Sequence, residues 1–82
     1  MNHPQFLKYG TPITKVIEEC SELIQILCKV ERFGWFSFNP LVPNSENNFE
    51  LTKKEMDDVV EAIERLQEEM RQIKYDHFLE QK

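Results

Sequence analysis

Thr11-Pro12-Ile13-Thr14-Lys15-Val16-Ile17-Glu18-Glu19-Cys20-Ser21-Glu22-Leu23-Ile24 decides the fold of this chain. Threonine before proline is a helix start: the threonine caps, and proline takes the first helical position, where its missing N–H is not needed. Ile13, Val16, Ile17, Cys20, Leu23, Ile24, Leu27 and Val30 then recur at helical spacing as one apolar stripe. Gly34 stops the run. The spacing predicts helix A over 12–33. Glu19 sits at the edge of the stripe, with Glu22 and Glu18 successively further from it. Ile26 shares the Glu19/Glu22 side, so that side is expected to meet something other than plain solvent.

A second helix, B, is expected over 52–80, rising from about Lys53. Met56, Val59, Ile63, Leu66, Met70, Ile73 and His77 alternate in steps of three and four, the seam of a heptad pattern. Residues 34–51 read as a connection because of their Asn, Pro and Ser content. It is long beside the roughly 2–8 residues usual between bundle helices, and its aromatics imply that it packs back on the helices. Residues 1–11 form a lead-in, with Phe6, Leu7 and Tyr9 able to dock. Two amphipathic helices and a loop leave apolar surface uncovered, and such surface marks an association site. The expected fold is therefore all-α: a helix–long loop–helix unit assembling into a four-helix bundle by oligomerisation, as a homodimer or homotetramer.

The chain has 82 residues, enough for one domain, and a formal net charge of -5. That sign argues against nucleic acid polymers and anionic membranes as partners. A bound divalent metal can still reverse the charge locally. No apolar run approaches the roughly 20 residues of a membrane span. Met1-Asn2-His3-Pro4-Gln5 lacks the marks of a signal peptide, so a cytoplasmic location is expected. Cys20 and Cys28 lie about 12 Å apart along helix A, too far to bridge, and read as buried reduced thiols. His3 and His77 lack a second ligand at metal spacing and read as structural or surface residues.

The charged residues that carry chemistry are acids in two clusters, Glu18-Glu19-Cys20-Ser21-Glu22 and Glu55-Met56-Asp57-Asp58. Glu19 and Glu22 stand one turn apart, as do Glu55 and Asp58. Facing each other across an antiparallel hairpin, they form a hard-cation site of the kind Mg2+ uses with substrate phosphates. The same residues have a plainer reading. Glu18 and Glu22 suit a solvated helix face. Thr52-Lys53-Lys54-Glu55 fits a capping box, and Asp57 and Asp58 favour the dipole at a helix start.

The pattern Glu18-Glu19-x-x-Glu22, then Glu55-x-x-Asp58, resembles that of the MazG-like nucleotide pyrophosphohydrolases. The apolar frame of Ile13, Val16, Ile17, Leu23 and Ile24 around the first motif, and of Val59, Val60 and Ile63 after the second, resembles it too. This all-α superfamily also contains dimeric dUTPases and phosphoribosyl-ATP pyrophosphohydrolases, and the likeness covers roughly residues 12–70. It implies hydrolysis of a nucleoside triphosphate to the monophosphate and pyrophosphate. By the same resemblance Glu19, Glu22, Glu55 and Asp58 hold Mg2+, with Mn2+ as a substitute. Glu18 then completes a second metal site or acts as the catalytic base toward water. The spacer between the motifs is longer than is typical, and Lys54 stands where family members often carry an acid. Larger members continue into a further helix bearing basic or amide groups; here a partner subunit is expected to supply them.

Trp35, Phe36 and Phe38 either cap the core or offer one ring to a nucleobase, with Asn39 or Asn44 reading its edge. Lys53 and Lys54 open helix B against the dipole, which nearness to a phosphate or to the acidic cluster would explain. Trp35, Phe38 and Lys54 are therefore the candidate substrate contacts. The alternative function is a helical oligomerisation and interaction module without chemistry, or a MazG-like domain that binds nucleotide without turnover.

Overall fold

The computed structural model describes residues 11–42 and 44–81; the expected lead-in over 1–10 lies outside them. Helix α1 spans Pro12–Phe33, as its sequence predicts. The Thr11 hydroxyl accepts from the Thr14 amide at 3.1 Å. Gly34 ends α1 with φ 91°, where a side chain would be strained, and its N–H donates to Val30 O at 2.8 Å. Helix α2 spans Asn48–Glu80. The described residues contain these two helices and no strand.

The start of α2 corrects the expectation of a helix from 52. Asn47 is the cap, its Oδ1 accepting from the Glu50 amide at 2.9 Å. The two amides before Glu50 are satisfied by the loop: Asn48 N–H donates to Ser37 O at 2.9 Å and Phe49 N–H to Trp35 O at 2.7 Å. A helix start must place these orphan donors somewhere, and here the connection supplies the acceptors. The buried Asn48 side chain adds a bond to Gly34 O at 3.0 Å. There is consequently no capping box at Thr52-Glu55. Thr52 is buried inside the helix, its hydroxyl donating to Asn48 O at 2.7 Å. Glu55 is left without a capping task.

The two helices pack antiparallel along lines that lie beside their most apolar stripes. On α1 the inward residues are Val16, Glu19, Leu23, Ile26 and Val30; on α2 they are Thr52, Glu55, Val59, Ala62, Leu66 and Glu69. Both lines step by three and four, as antiparallel helix packing requires. Ala62, only 2% exposed, lets the helices approach closely. The expected heptad seam of α2 is thereby split. Val59 and Leu66 face inward, while Met56, Ile63, Met70 and Ile73 remain exposed together with Ile13, Ile17, Ile24 and Leu27 of α1. Cys28, expected to be buried, is exposed as well.

The result is an elongated hairpin, 60 × 24 × 20 Å, with a radius of gyration of 17.7 Å. A compact domain of this length has roughly 12 Å. Its surface of 7091 Å² exceeds by about a third the area usual for a folded monomer of this mass. No helix among the described residues is long and apolar enough to cross a membrane.

Because Asn47 caps α2, Asn47→Ala is expected to destabilise the protein by about 1 kcal/mol. Urea unfolding checks this; an unchanged midpoint would place the functional helix start elsewhere.

Candidate metal centre

Glu19 is held on the inward line of α1, flanked by Val16 and Leu23, and Glu55 faces it from the inward line of α2. Asp58 follows Glu55 by one turn. Glu19, Glu55 and Asp58 each bring a carboxylate oxygen within 4.8 Å of the others. These are three of the four acids expected as metal ligands, drawn from both sequence clusters. Glu22, the fourth, stands beside this trio rather than within it. Glu18, expected as the catalytic base, is well exposed and 3.6 Å from Lys15.

The trio is short of partners. Glu19 is 5% exposed, yet among the described residues one of its oxygens, Oε1, has no hydrogen-bond partner; Glu55 Oε1 is also buried and unpartnered among them. Buried carboxylate oxygens in that condition are costly and call for a neutralising partner. The other Glu19 oxygen meets Lys15 Nζ at 2.8 Å. This pair runs Lys before Glu, the weaker orientation on a helix surface. Lys15 therefore owes its place to the buried charge rather than to helix support.

The charges set one another's titration. The hydrogen bond from Lys15 is the main cause that holds the Glu19 carboxyl below the usual carboxylate range, against the effect of its burial. Glu19 in return raises the Lys15 ammonium. The negative charge of Glu19, then loss of water, then the charge of Glu55 hold Glu22 above the usual carboxylate range. An excess of acid is thus concentrated at one point, and among the described residues Lys15 is the cation paired with Glu19. All-oxygen donors of this kind suit a hard divalent cation such as Mg2+.

The candidate substrate contacts fall elsewhere. Trp35 packs edge-on against Phe49, and Phe36 stacks on the same ring, each with centroids 5.9 Å apart. Phe49 is thus a surface clasp for the loop rather than core. Phe38 lines a cavity of about 560 Å³ with Phe33, Asn39, Asn48 and Leu51. Lys54 is not at the helix start; it lies in the second turn and pairs with Glu46 at 2.8 Å. That hydrogen bond is the first cause of its raised ammonium pKa, with smaller contributions from the charges of Asp58 and Glu55. Its partner Glu46 lines the larger cavity, and the charges of Asp58 and Glu55 reach its ammonium.

Two residues at the site escaped the reading of the sequence. Lys15 was signalled by its position four before Glu19. Arg65, seven after Asp58 and so on the same side of α2, lines a small cavity with Lys15, Glu19 and Asp58.

No family model, no curated protein and no solved structure matches this chain.

A carboxyl whose pKa is raised by folding weakens the fold as pH rises through the carboxylate range. Glu22→Gln is therefore expected to raise the melting temperature at neutral pH in EDTA. The gain should shrink as acid protonates Glu22 in the parent. Glu19 has the opposite sign, its contribution being lost as pH falls. Melting curves across that range, parent against variant, check the prediction.

Proposed function

We propose that this chain hydrolyses a nucleoside triphosphate to the monophosphate and pyrophosphate, using Mg2+ or Mn2+ held by Glu19, Glu55 and Asp58, with Glu22 beside them. The observation that carries this reading is the pair of buried, unpartnered oxygens, Glu19 Oε1 and Glu55 Oε1, converging with Asp58. The motif resemblance to MazG-like enzymes supports it from the sequence side. When bound, the cation supplies neutralisation for the phosphates and a water of lowered pKa.

The chain's own residues do the rest. Glu19 and Glu55, fixed by packing on opposite helices, set the position of the phosphates without rearranging. The charge of Glu19 disfavours the ionised form of Glu22, and positive charge arriving at the trio relieves that repulsion. Glu18, exposed and 3.6 Å from Lys15, is the remaining motif acid, able to complete a second cation site or to act as base toward water. Phe38 and Asn39 border the larger cavity, which has room for a base and sugar. Lys54, whose partner Glu46 lines that cavity, is the proposed phosphate contact. Trp35 is engaged with Phe49 and serves the substrate by holding the loop.

The partner for the exposed apolar face is, in this proposal, a second copy of the chain. The excess surface is of the size that obligate homodimers bury, and pairing the two hairpins gives a four-helix bundle. We place the protein in the cytoplasm, where the free thiols of Cys20 and Cys28 stay reduced.

Phosphorus NMR of the protein with Mg2+ and a panel of nucleoside triphosphates tests the chemistry. Monophosphate plus pyrophosphate is expected; diphosphate plus orthophosphate, or no turnover, contradicts the reading. Glu19→Gln and Asp58→Asn should each lower kcat by at least about 100-fold, as loss of a metal ligand does when even its supporting contacts are worth 10- to 100-fold. Separately, Ile63→Asp should convert the oligomer to a monomer in sedimentation equilibrium, since it puts a charge on the uncovered face.

A further inference from the structure

The smaller cavity beside the carboxylates holds two cations that do not bind a divalent metal. It measures about 120 Å³ and is lined by Lys15, Glu19, Asp58, Glu61, Ala62 and Arg65. Lys15 stands one turn before Glu19 on α1, and Arg65 two turns after Asp58 on α2. Because the helices run antiparallel, both fall on the same side of the carboxylate trio. Among the described residues Arg65 makes no ion pair, not even with Glu61 one turn away. A planar guanidinium left open at a cavity is a ready fork for phosphate oxygens. The cavity has room for several waters or one phosphoryl group. Glu19, more than nine-tenths buried, lines its wall and keeps one oxygen unpartnered.

We infer that Lys15 and Arg65 form the seat for the terminal phosphate of a metal-bound polyphosphate, and that Lys15 is also the counter-ion that the metal displaces from Glu19. In the metal-free protein the Lys15 ammonium neutralises Glu19 at 2.8 Å. A divalent cation at the trio takes over that task. Lys15, half-exposed and flexible, then turns to the phosphate that arrives with the metal, opposite Arg65. Its charge is conserved at the site but changes partner. This inference rests on the metal-dependent reading above and adds the residues that hold the terminal phosphate of the leaving pyrophosphate.

The two roles of Lys15 predict effects of opposite sign from one substitution. Lys15→Met should bind Mn2+ alone severalfold more tightly, read by electron paramagnetic resonance, because a competing cation is gone. The same variant should bind inorganic pyrophosphate, titrated calorimetrically in the presence of Mn2+, roughly tenfold more weakly. Arg65→Ala, which leaves the Lys15–Glu19 pair intact, should keep Mn2+ binding and lose roughly 10- to 100-fold in pyrophosphate affinity. Arg65→Lys should recover only part of that loss. Circular dichroism in EDTA establishes that each variant is folded. Mn2+ binding unchanged or weakened in Lys15→Met overturns the counter-ion role. Pyrophosphate affinity equal to the parent's in Lys15→Met and Arg65→Ala overturns the phosphate seat while leaving the metal centre standing. No saturable Mn2+ binding by the parent brings down the metal reading and this inference together.

Discussion

Glu19 and Glu55 face each other where α1 packs on α2, and each keeps one buried carboxylate oxygen without a hydrogen-bond partner among the described residues. Desolvated charge is the most expensive thing a small hairpin can contain, and much of the local structure answers to it. Lys15 is drawn onto Glu19 from one turn away. Glu22 is pushed toward its neutral form by the charge of Glu19. Ala62 keeps the helices close where larger side chains would part them. A core built for stability alone would place leucines at these two positions. In the function proposed above, the carboxylates stand ready for a cation, with Lys15 as counter-ion to Glu19 until it binds.

That cost is compounded by the shape of the chain. Only Ile26 and Ala62 are buried apolar residues among those described. The better part of the hydrophobic stripe on each helix, from Ile13 to Leu27 and from Met56 to Ile73, faces outward. An 82-residue chain has little apolar area to spare, so covering this face would add stability. A second hairpin laid on it would close the core without disturbing the carboxylates, which sit on the adjacent line. The carboxylates and the exposed apolar face are thus separated by about one residue of helical register.

Much of this was legible in the sequence, and the gaps have physical causes. Thr11-Pro12 and Gly34 bound α1 because caps act locally. Ile26 signalled that the Glu19 side is not solvent. The start of α2 was missed because Asn44 to Leu51 reads as a polar loop. What makes it helical from Asn48 is long-range: carbonyls of Trp35 and Ser37 satisfy the first amides. The packing line of α2 was missed because periodicity finds the most apolar line. The true one carries Thr52, Glu55 and Glu69, which score as surface residues. The three converging acids were named from motif spacing; Lys15 was signalled by its place four before Glu19, whereas nothing in a sequence marks a cation left without an ion pair such as Arg65.

Anomalous diffraction from crystals grown with Mn2+ tests the central claim most directly. The account predicts a peak bounded by Glu19, Glu55 and Asp58, with Lys15 Nζ withdrawn from the Glu19 carboxylate. A map without density there, and with Lys15 still hydrogen-bonded to Glu19, would contradict it.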